Sequence, residues 1–183
     1  MFLYIMLQKF HSIKIQNTKY NILLCDTLGL IVFLRENQKA LQNYMKSLTK
    51  IMKSFKNQSF HILDFIYEYI LYTKLHKKIL YSIIFTTKRY EIISFSRIIC
   101  KNNKGSLDAV VTNAKYRNKG LCYANLSHII KESNKLLNIK YFILEVNSNN
   151  ISAIKCYKKT GFTIEKIFKD NGDNIYKFIK IIK

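Results

Sequence analysis

Between Val110 and Cys122 an apolar run, Val110-Val111-Thr112, gives way to a short basic turn, Asn113-Ala114-Lys115-Tyr116-Arg117-Asn118-Lys119-Gly120, and then to helical spacing from Leu121 and Cys122 onward. A strand that feeds a helix through such a turn leaves backbone N–H groups unpaired beside the positive end of the helix dipole, which makes an anion site. Gly120 permits close approach and unusual φ, and Arg117 and Lys119 add charge, so a diphosphate is the ligand this stretch suits. Taken alone, an Arg-x-x-Gly at such a turn is more often an ordinary loop.

A second block gives the first its meaning: Leu144-Glu145-Val146, then Asn150, Ala153-Ile154, Tyr157 and Gly161-Phe162. Together the two blocks resemble the GNAT superfamily of acyl-CoA-dependent N-acetyltransferases. The first family motif is a strand, (Gln/Arg)-x-x-Gly-x-(Gly/Ala) and a helix, and Arg117, Gly120 and Cys122 occupy its positions. The second reads Leu-Glu-Val, three residues, Asn, two residues, Ala-Ile, two residues, Tyr, three residues, Gly-Phe, which this chain matches without a gap. The resemblance spans residues 79–182 and is strongest over 107–162.

The resemblance implies an α/β fold, a central mixed β-sheet with helices on both faces, in one N-acetyltransferase domain over residues 1–183. Residues 1–78 would form an N-terminal strand and helical acceptor side, and 79–183 the acetyl-CoA-binding core. The strand ending near Thr112 is expected to splay from the strand ending near Val146, so that its free edge pairs with the pantetheine arm as another strand would. Val110, Val111, Thr112 and Asn113 would hold that arm. The turn from Arg117 through Asn118, Lys119, Gly120 and Leu121 to Cys122 would hold the pyrophosphate. Asn150, Ala153 and Tyr157 would complete the coenzyme contacts, and a backbone N–H near Val111 would stabilise the thioester oxyanion.

The implied reaction is direct transfer of acetyl from acetyl-CoA to an amine, either a small molecule or a protein amine. Tyr157 is the counterpart of the tyrosine that protonates the departing thiolate, and a phenol of ordinary pKa about 10 carries that proton at neutral pH. Packing in the core is the competing role for it. Glu145 is the first candidate for the base that deprotonates the amine, against a purely structural carboxylate; Asp108, Glu91 and His128 follow, His128 being expected on the surface. Two departures stand out. Cys122 replaces the usual Gly or Ala, and Ala114 stands where Pro is frequent. Cys122 at a helix start also has the placement of a low-pKa nucleophile, although no His is paired with it in sequence.

Periodicity supplies the elements that position these residues. Short strands are expected at Met1–Leu7, Ile13–Ile15, Tyr20–Cys25 and Leu30–Phe33, and amphipathic helices over 36–55 and after Ser59. Ile79–Thr86, Tyr90–Cys100 and Leu107–Thr112 read as a meander, with turns at Lys88-Arg89 and at Lys101-Asn102-Asn103-Lys104-Gly105, where Gly105 is expected to take positive φ. A helix follows from Cys122 to Leu137, then a strand at Tyr141–Val146. A helix over Ile151–Thr160 begins behind Asn150 as N-cap and stops at Gly161. Phe162–Lys169 and Asn174–Ile182 flank a hairpin turn, Asp170-Asn171-Gly172-Asp173.

Composition narrows the remaining classes. No apolar run approaches the roughly 20 residues of a membrane span, and Met1–Leu7 lacks the features of a secretory signal. The four cysteines, Cys25, Cys100, Cys122 and Cys156, form no CxxC pair and have no His at ligand spacing, which argues for a reducing, cytoplasmic setting and no metal site. The formal charge of +20 raises nucleic acid as a partner. Only four of the 31 basic residues are Arg, however, and Lys, Asn, Ile, Tyr and Phe share A/T-rich codons, so base composition accounts for the bias. The alternative to an enzyme is a catalytically degenerate basic module on the same scaffold that binds nucleic acid or a protein partner. The amine acceptor and the oligomeric state are not written in the sequence.

Overall fold

The computed structural model describes residues 8–30, 78–86 and 91–183. The expected strand at Met1–Leu7, the two amphipathic helices over 36–55 and after Ser59, and the turn at Lys88-Arg89 lie outside the described residues.

Among the described residues eight strands form one mixed sheet: β1 (Gln8–Ile15), β2 (Thr18–Asp26), β3 (Lys78–Thr86), β4 (Ile92–Lys101), β5 (Lys104–Thr112), β6 (Tyr141–Asn147), β7 (Thr163–Asp170) and β8 (Asp173–Ile181). Their order is β1-β2-β3-β4-β5-β6-β8-β7, antiparallel except where β5 meets β6. Helix α1 (Leu121–Leu137) is the crossover that a parallel pair requires, and α2 (Ile151–Lys159) joins β6 to β7. The helical stripe of α1, Leu126, Ile129 and Ile130, packs with Ile154 and Tyr157 of α2 onto Leu107, Phe142, Leu144, Val146 and Phe178. Phe142 and Phe178 are wholly buried, each contributing about 1.5–3 kcal/mol through the area removed from water. A second cluster, with Leu23 of β2, Tyr81, Ile83 and Phe85 of β3 and Phe95 of β4, lies on the face of those strands opposite Leu24 and Leu80, which belong to the first cluster.

Asparagine, not glycine, makes most of the tight turns. Gln16-Asn17, Asn102-Asn103 and Asn171-Gly172 all take positive φ at two-residue hairpin connections, the conformation that matches strand twist. The expectation for Gly105 is therefore corrected: Asn102 and Asn103 supply the left-handed residues. Gly105 lies in β5, where a Cβ would come within 2.5 Å of the Ile98 side chain and 3.1 Å of Ile139. Of the expected strand at Leu30–Phe33 only Leu30 lies among the described residues, and it is helical. Residues 27–30 are helical, begun by Asp26, whose carboxylate accepts the Gly29 N–H at 2.7 Å as an N-cap does. Among the described residues no helix is long and apolar enough to cross a membrane.

Candidate active site

The parallel pairing of β5 with β6 runs only from Lys104↔Tyr141 to Leu107↔Leu144. One residue later the β4–β5 register slips between Arg97 and Ile98, leaving Asp108 as the extra residue of a β-bulge. From there β5 stays with β4 while β6 stays with β8, and a gap opens between Asp108–Thr112 and Glu145–Asn147. The Asn113 N–H donates to the Ile93 carbonyl and the Val111 carbonyl accepts from Ser94, so both residues turn their backbone toward β4. Strand alternation then directs the N–H and C=O of Val110 and Thr112 into the gap. Of the four residues expected along this edge, these two turn their backbone toward the gap, where the Thr112 carbonyl already accepts from Arg117 Nε.

Beyond Thr112 a single 3-10 turn, Ala114–Tyr116, is capped by the Asn113 side chain. Asn118 and Gly120 take left-handed φ, 62° and 79°, and fold the chain back into α1. Gly120 is the N-cap of α1 and supplies no side-chain acceptor, and the first helical bond is made by the Ala124 N–H. The N–H groups of Leu121, Cys122 and Tyr123 thus lack intrahelical partners at the positive end of a 17-residue helix with no acidic residue in its first turn. Arg117 stands at the mouth, its Nε 3.3 Å from the Thr112 carbonyl. Lys119 lies over the Tyr116 ring, and the Tyr116 hydroxyl donates to Glu91 at 2.9 Å. The Leu121 side chain points away, buried against Tyr20, Ile22, Ile84 and Ile93, which leaves only its backbone available to an anion.

Across the gap, Asn150 caps α2 through its carbonyl oxygen, which accepts from the Ala153 N–H and the Ser152 hydroxyl, both at 3.2 Å. Its amide nitrogen is the group left to donate outward. Ala153 packs against the core cluster. Tyr157 is buried, its ring edge-on to Phe162 and Phe178 at 6.4 and 6.0 Å, and burial pushes its phenol up to about 12. Glu145 is exposed and lies on the opposite face of β6 from the buried Leu144 and Val146.

The weaker base candidates are otherwise engaged. Asp108 forms a two-point ion pair with Arg97, and Glu91 accepts from Tyr116. His128, expected on the surface, is instead half-buried: its Nδ1 is 3.0 Å from the Ser82 hydroxyl, and burial holds its pKa down at about 4.

Cysteine pairing overturns a further expectation. Cys122 and Cys156 form a disulfide that joins the first turn of α1 to α2, which removes Cys122 as a nucleophile and leaves the expected reducing setting without support from the cysteines. Cys25 and Cys100 are free and buried. Among the described residues no group of three His, Cys, Asp or Glu could hold a metal ion.

Sequence reasoning missed a buried polar layer beneath the end of β5. Asn125 of α1 is fully enclosed; its amide nitrogen lies 3.0 Å from Ser94 Oγ and its carbonyl oxygen 3.1 Å from Ser96 Oγ. Alternation of Ser94 and Ser96 in an otherwise apolar strand was the signal for it.

Residues 45–162 match the Acetyltransferase (GNAT) family. This chain belongs to that family. Among curated proteins none matches it significantly in sequence. Among solved structures it is similar to the ribosomal-protein-S5-alanine acetyltransferase of Vibrio fischeri, at 14% identity over 93% of this chain and 96% of that one, with a TM-score of 0.69. The spermidine N-acetyltransferase of Vibrio cholerae, solved with CoA and spermine, aligns over 95% of both chains at 15% identity and a TM-score of 0.58. The ribosomal-protein-S18-alanine N-acetyltransferase of Escherichia coli aligns over 57% of this chain and 69% of that one, at 21% identity and a TM-score of 0.50. At such identities the likeness is one of fold. This family member thus carries the mixed α+β fold of N-acetyltransferases.

Proposed function

We propose that this GNAT-family chain, acting as one domain, transfers an acetyl group from acetyl-CoA to an amine by direct attack. The observation that carries this reading is the alignment of the β5–β6 gap with the uncapped start of α1. A ligand with an extended, amide-bearing arm and a diphosphate meets a free strand edge and then an anion site. Val110 and Thr112 pair with the amides of the arm, flanked by Val111 and Asn113. The diphosphate lies on the N–H groups of Leu121, Cys122 and Tyr123, with Arg117, Asn118, Lys119 and Gly120 around it. The amide nitrogen of Asn150 donates from the far wall, beside Ala153.

The chemistry needs an oxyanion donor, a proton for the thiolate and a sink for the amine proton. A backbone N–H of Val110 or Thr112 is the donor. Tyr157 holds its proton at any physiological pH, since burial raises its pKa, and acts as the acid. Glu145, exposed on the opposite face, takes the proton from the incoming amine.

Calorimetric titration with acetyl-CoA, followed by an amine panel read by release of free thiol, tests this. Saturable binding and thiol release that depends on both substrates are the expected results. Salt-sensitive oligonucleotide binding without acetyl-CoA binding would replace this reading with the non-enzymatic one.

A further inference from the structure

Beneath the end of β5 the hydrogen-bonding groups form a closed account. Ser94 Oγ is 3.1 Å from the Val111 carbonyl, 3.0 Å from the Asn125 amide nitrogen and 3.3 Å from Thr112 Oγ1. A hydroxyl has one proton and two lone pairs. The Val111 carbonyl can only accept and the Asn125 NH₂ can only donate, so Ser94 gives its proton to Val111 and accepts from Asn125. Its second lone pair then takes the Thr112 hydroxyl proton. Ser96 donates to the Asn125 carbonyl oxygen at 3.1 Å, which fixes the orientation of the amide. Ser94, Ser96 and Asn125 are all essentially inaccessible to water, and burial of such groups is tolerated because each finds a partner.

This layer joins the two halves of the proposed coenzyme site. Asn125 belongs to the second turn of α1, the helix whose start forms the anion site. Val111 and Thr112 are the last residues of β5, the strand whose free edge lines the gap. Apolar packing would hold the helix on the sheet but would let it slide; directional bonds to one carbonyl and one hydroxyl fix how far the helix start stands from the strand end.

We propose that Asn125 is a positioning residue for acetyl-CoA, which through Ser94 sets the distance between the diphosphate-binding start of α1 and the pantetheine-binding end of β5. The proposal rests on the acetyl-CoA reading above. Because the two half-sites are addressed by one ligand, a shift in their spacing lowers affinity for the whole ligand while sparing affinity for either half.

The test compares acetyl-CoA with ADP, which carries a diphosphate but no pantetheine arm. Asn125→Ala and Ser94→Ala should each weaken acetyl-CoA by about tenfold yet leave ADP within roughly twofold, and the double variant should lose about as much as either single one. Ser133→Ala serves as the packing control, since that buried hydroxyl donates only within its own helix, to the Ile130 carbonyl. Its loss should be confined to melting temperature, with acetyl-CoA affinity unchanged. Should Asn125→Ala fail to fold, Ser94→Ala decides alone, as the smaller deletion in the same chain of hydrogen bonds. Parallel losses for acetyl-CoA and ADP, or unchanged acetyl-CoA affinity, would overturn the positioning role. Wild-type protein that binds no acetyl-CoA would remove the coenzyme reading and this proposal with it.

Discussion

Cys122 and Cys156 are joined by a disulfide across 34 residues of sequence, tying the first turn of α1 to the second turn of α2. The two helices flank the gap in which acetyl-CoA is proposed to lie. The family position held by Cys122 ordinarily takes Gly or Ala, so its larger side chain is accommodated by bonding to its neighbour across the helix pair. Closing a loop of this length restricts the unfolded chain and is worth about 3–4 kcal/mol. Reduction by dithiothreitol should therefore lower the melting temperature by roughly 10 °C. Cys156→Ala should lower it equally and abolish any further effect of the reductant. A melting temperature indifferent to reductant would show that the bridge is absent.

The anion site makes a separate prediction. Arg117 is exposed, and its side chain donates to the Thr112 carbonyl while its backbone N–H donates to the Ala114 carbonyl, a bond any residue keeps, so Arg117→Glu should leave the melting temperature almost unchanged. It places a carboxylate beside the unpaired N–H groups of α1, and acetyl-CoA affinity should fall by at least about tenfold. Calorimetric titration measures this directly. Equal affinity in the variant and the wild type would remove this turn from the coenzyme site.

His128 predicts how stability depends on pH. Burial lowers its pKa from 6.5 to about 4; Glu132 opposes the shift, while His11 and Lys131 reinforce it. Between those values the unfolded chain binds a proton that the folded chain does not. The stabilisation is complete above pH 6.5 and is lost as pH falls toward 4. Allowing for partial exposure, the loss is about 2 kcal/mol. Chemical denaturation at pH 7.5 and pH 4.5 should show it, and His128→Asn should flatten the difference. An unaltered pH dependence in that variant would assign the acid sensitivity elsewhere.

How much of this was legible in sequence depended on whether the signal was local. The α2 boundaries were legible because Asn150 and Gly161 act on their own helix ends. The β7–β8 hairpin was legible from Asn171-Gly172 for the same reason. The turn over residues 101–105 was legible, but its left-handed residues and the chain reversal at Asn17 were harder, because in a chain with five Gly and no Pro asparagine carries the left-handed positions, and it also occurs at many places that are not turns. The splay of β5 from β6 was reached through motif resemblance. Its physical origin, the bulge at Asp108, leaves no mark in a local window. The disulfide and the layer of Ser94, Ser96 and Asn125 were illegible because their partners are brought together only by the crossover of α1 onto the sheet.

Tyr157 gives the sharpest test of mechanism, because proton donation and packing forecast opposite results for one substitution. Its ring is wedged between Phe162 and Phe178, which Phe at the same position would preserve. A phenol raised to about 12 is a poor donor to a thiolate of ordinary pKa about 8.5. Burial raises thiols as well, however, as Cys100 at about 12 illustrates, so a thiolate leaving into the same apolar surroundings is brought into range of the phenol. If Tyr157 is the acid, Tyr157→Phe should lower kcat by roughly 10² to 10⁴ with little change in acetyl-CoA affinity. Wild-type kcat should show no alkaline decline from this group up to about pH 10, since an acid of pKa about 12 keeps its proton there. A packing tyrosine would instead cost at most about 1 kcal/mol of stability on loss of its hydroxyl and leave turnover intact. A kcat for Tyr157→Phe within about threefold of wild type at saturating amine would take Tyr157 out of the mechanism.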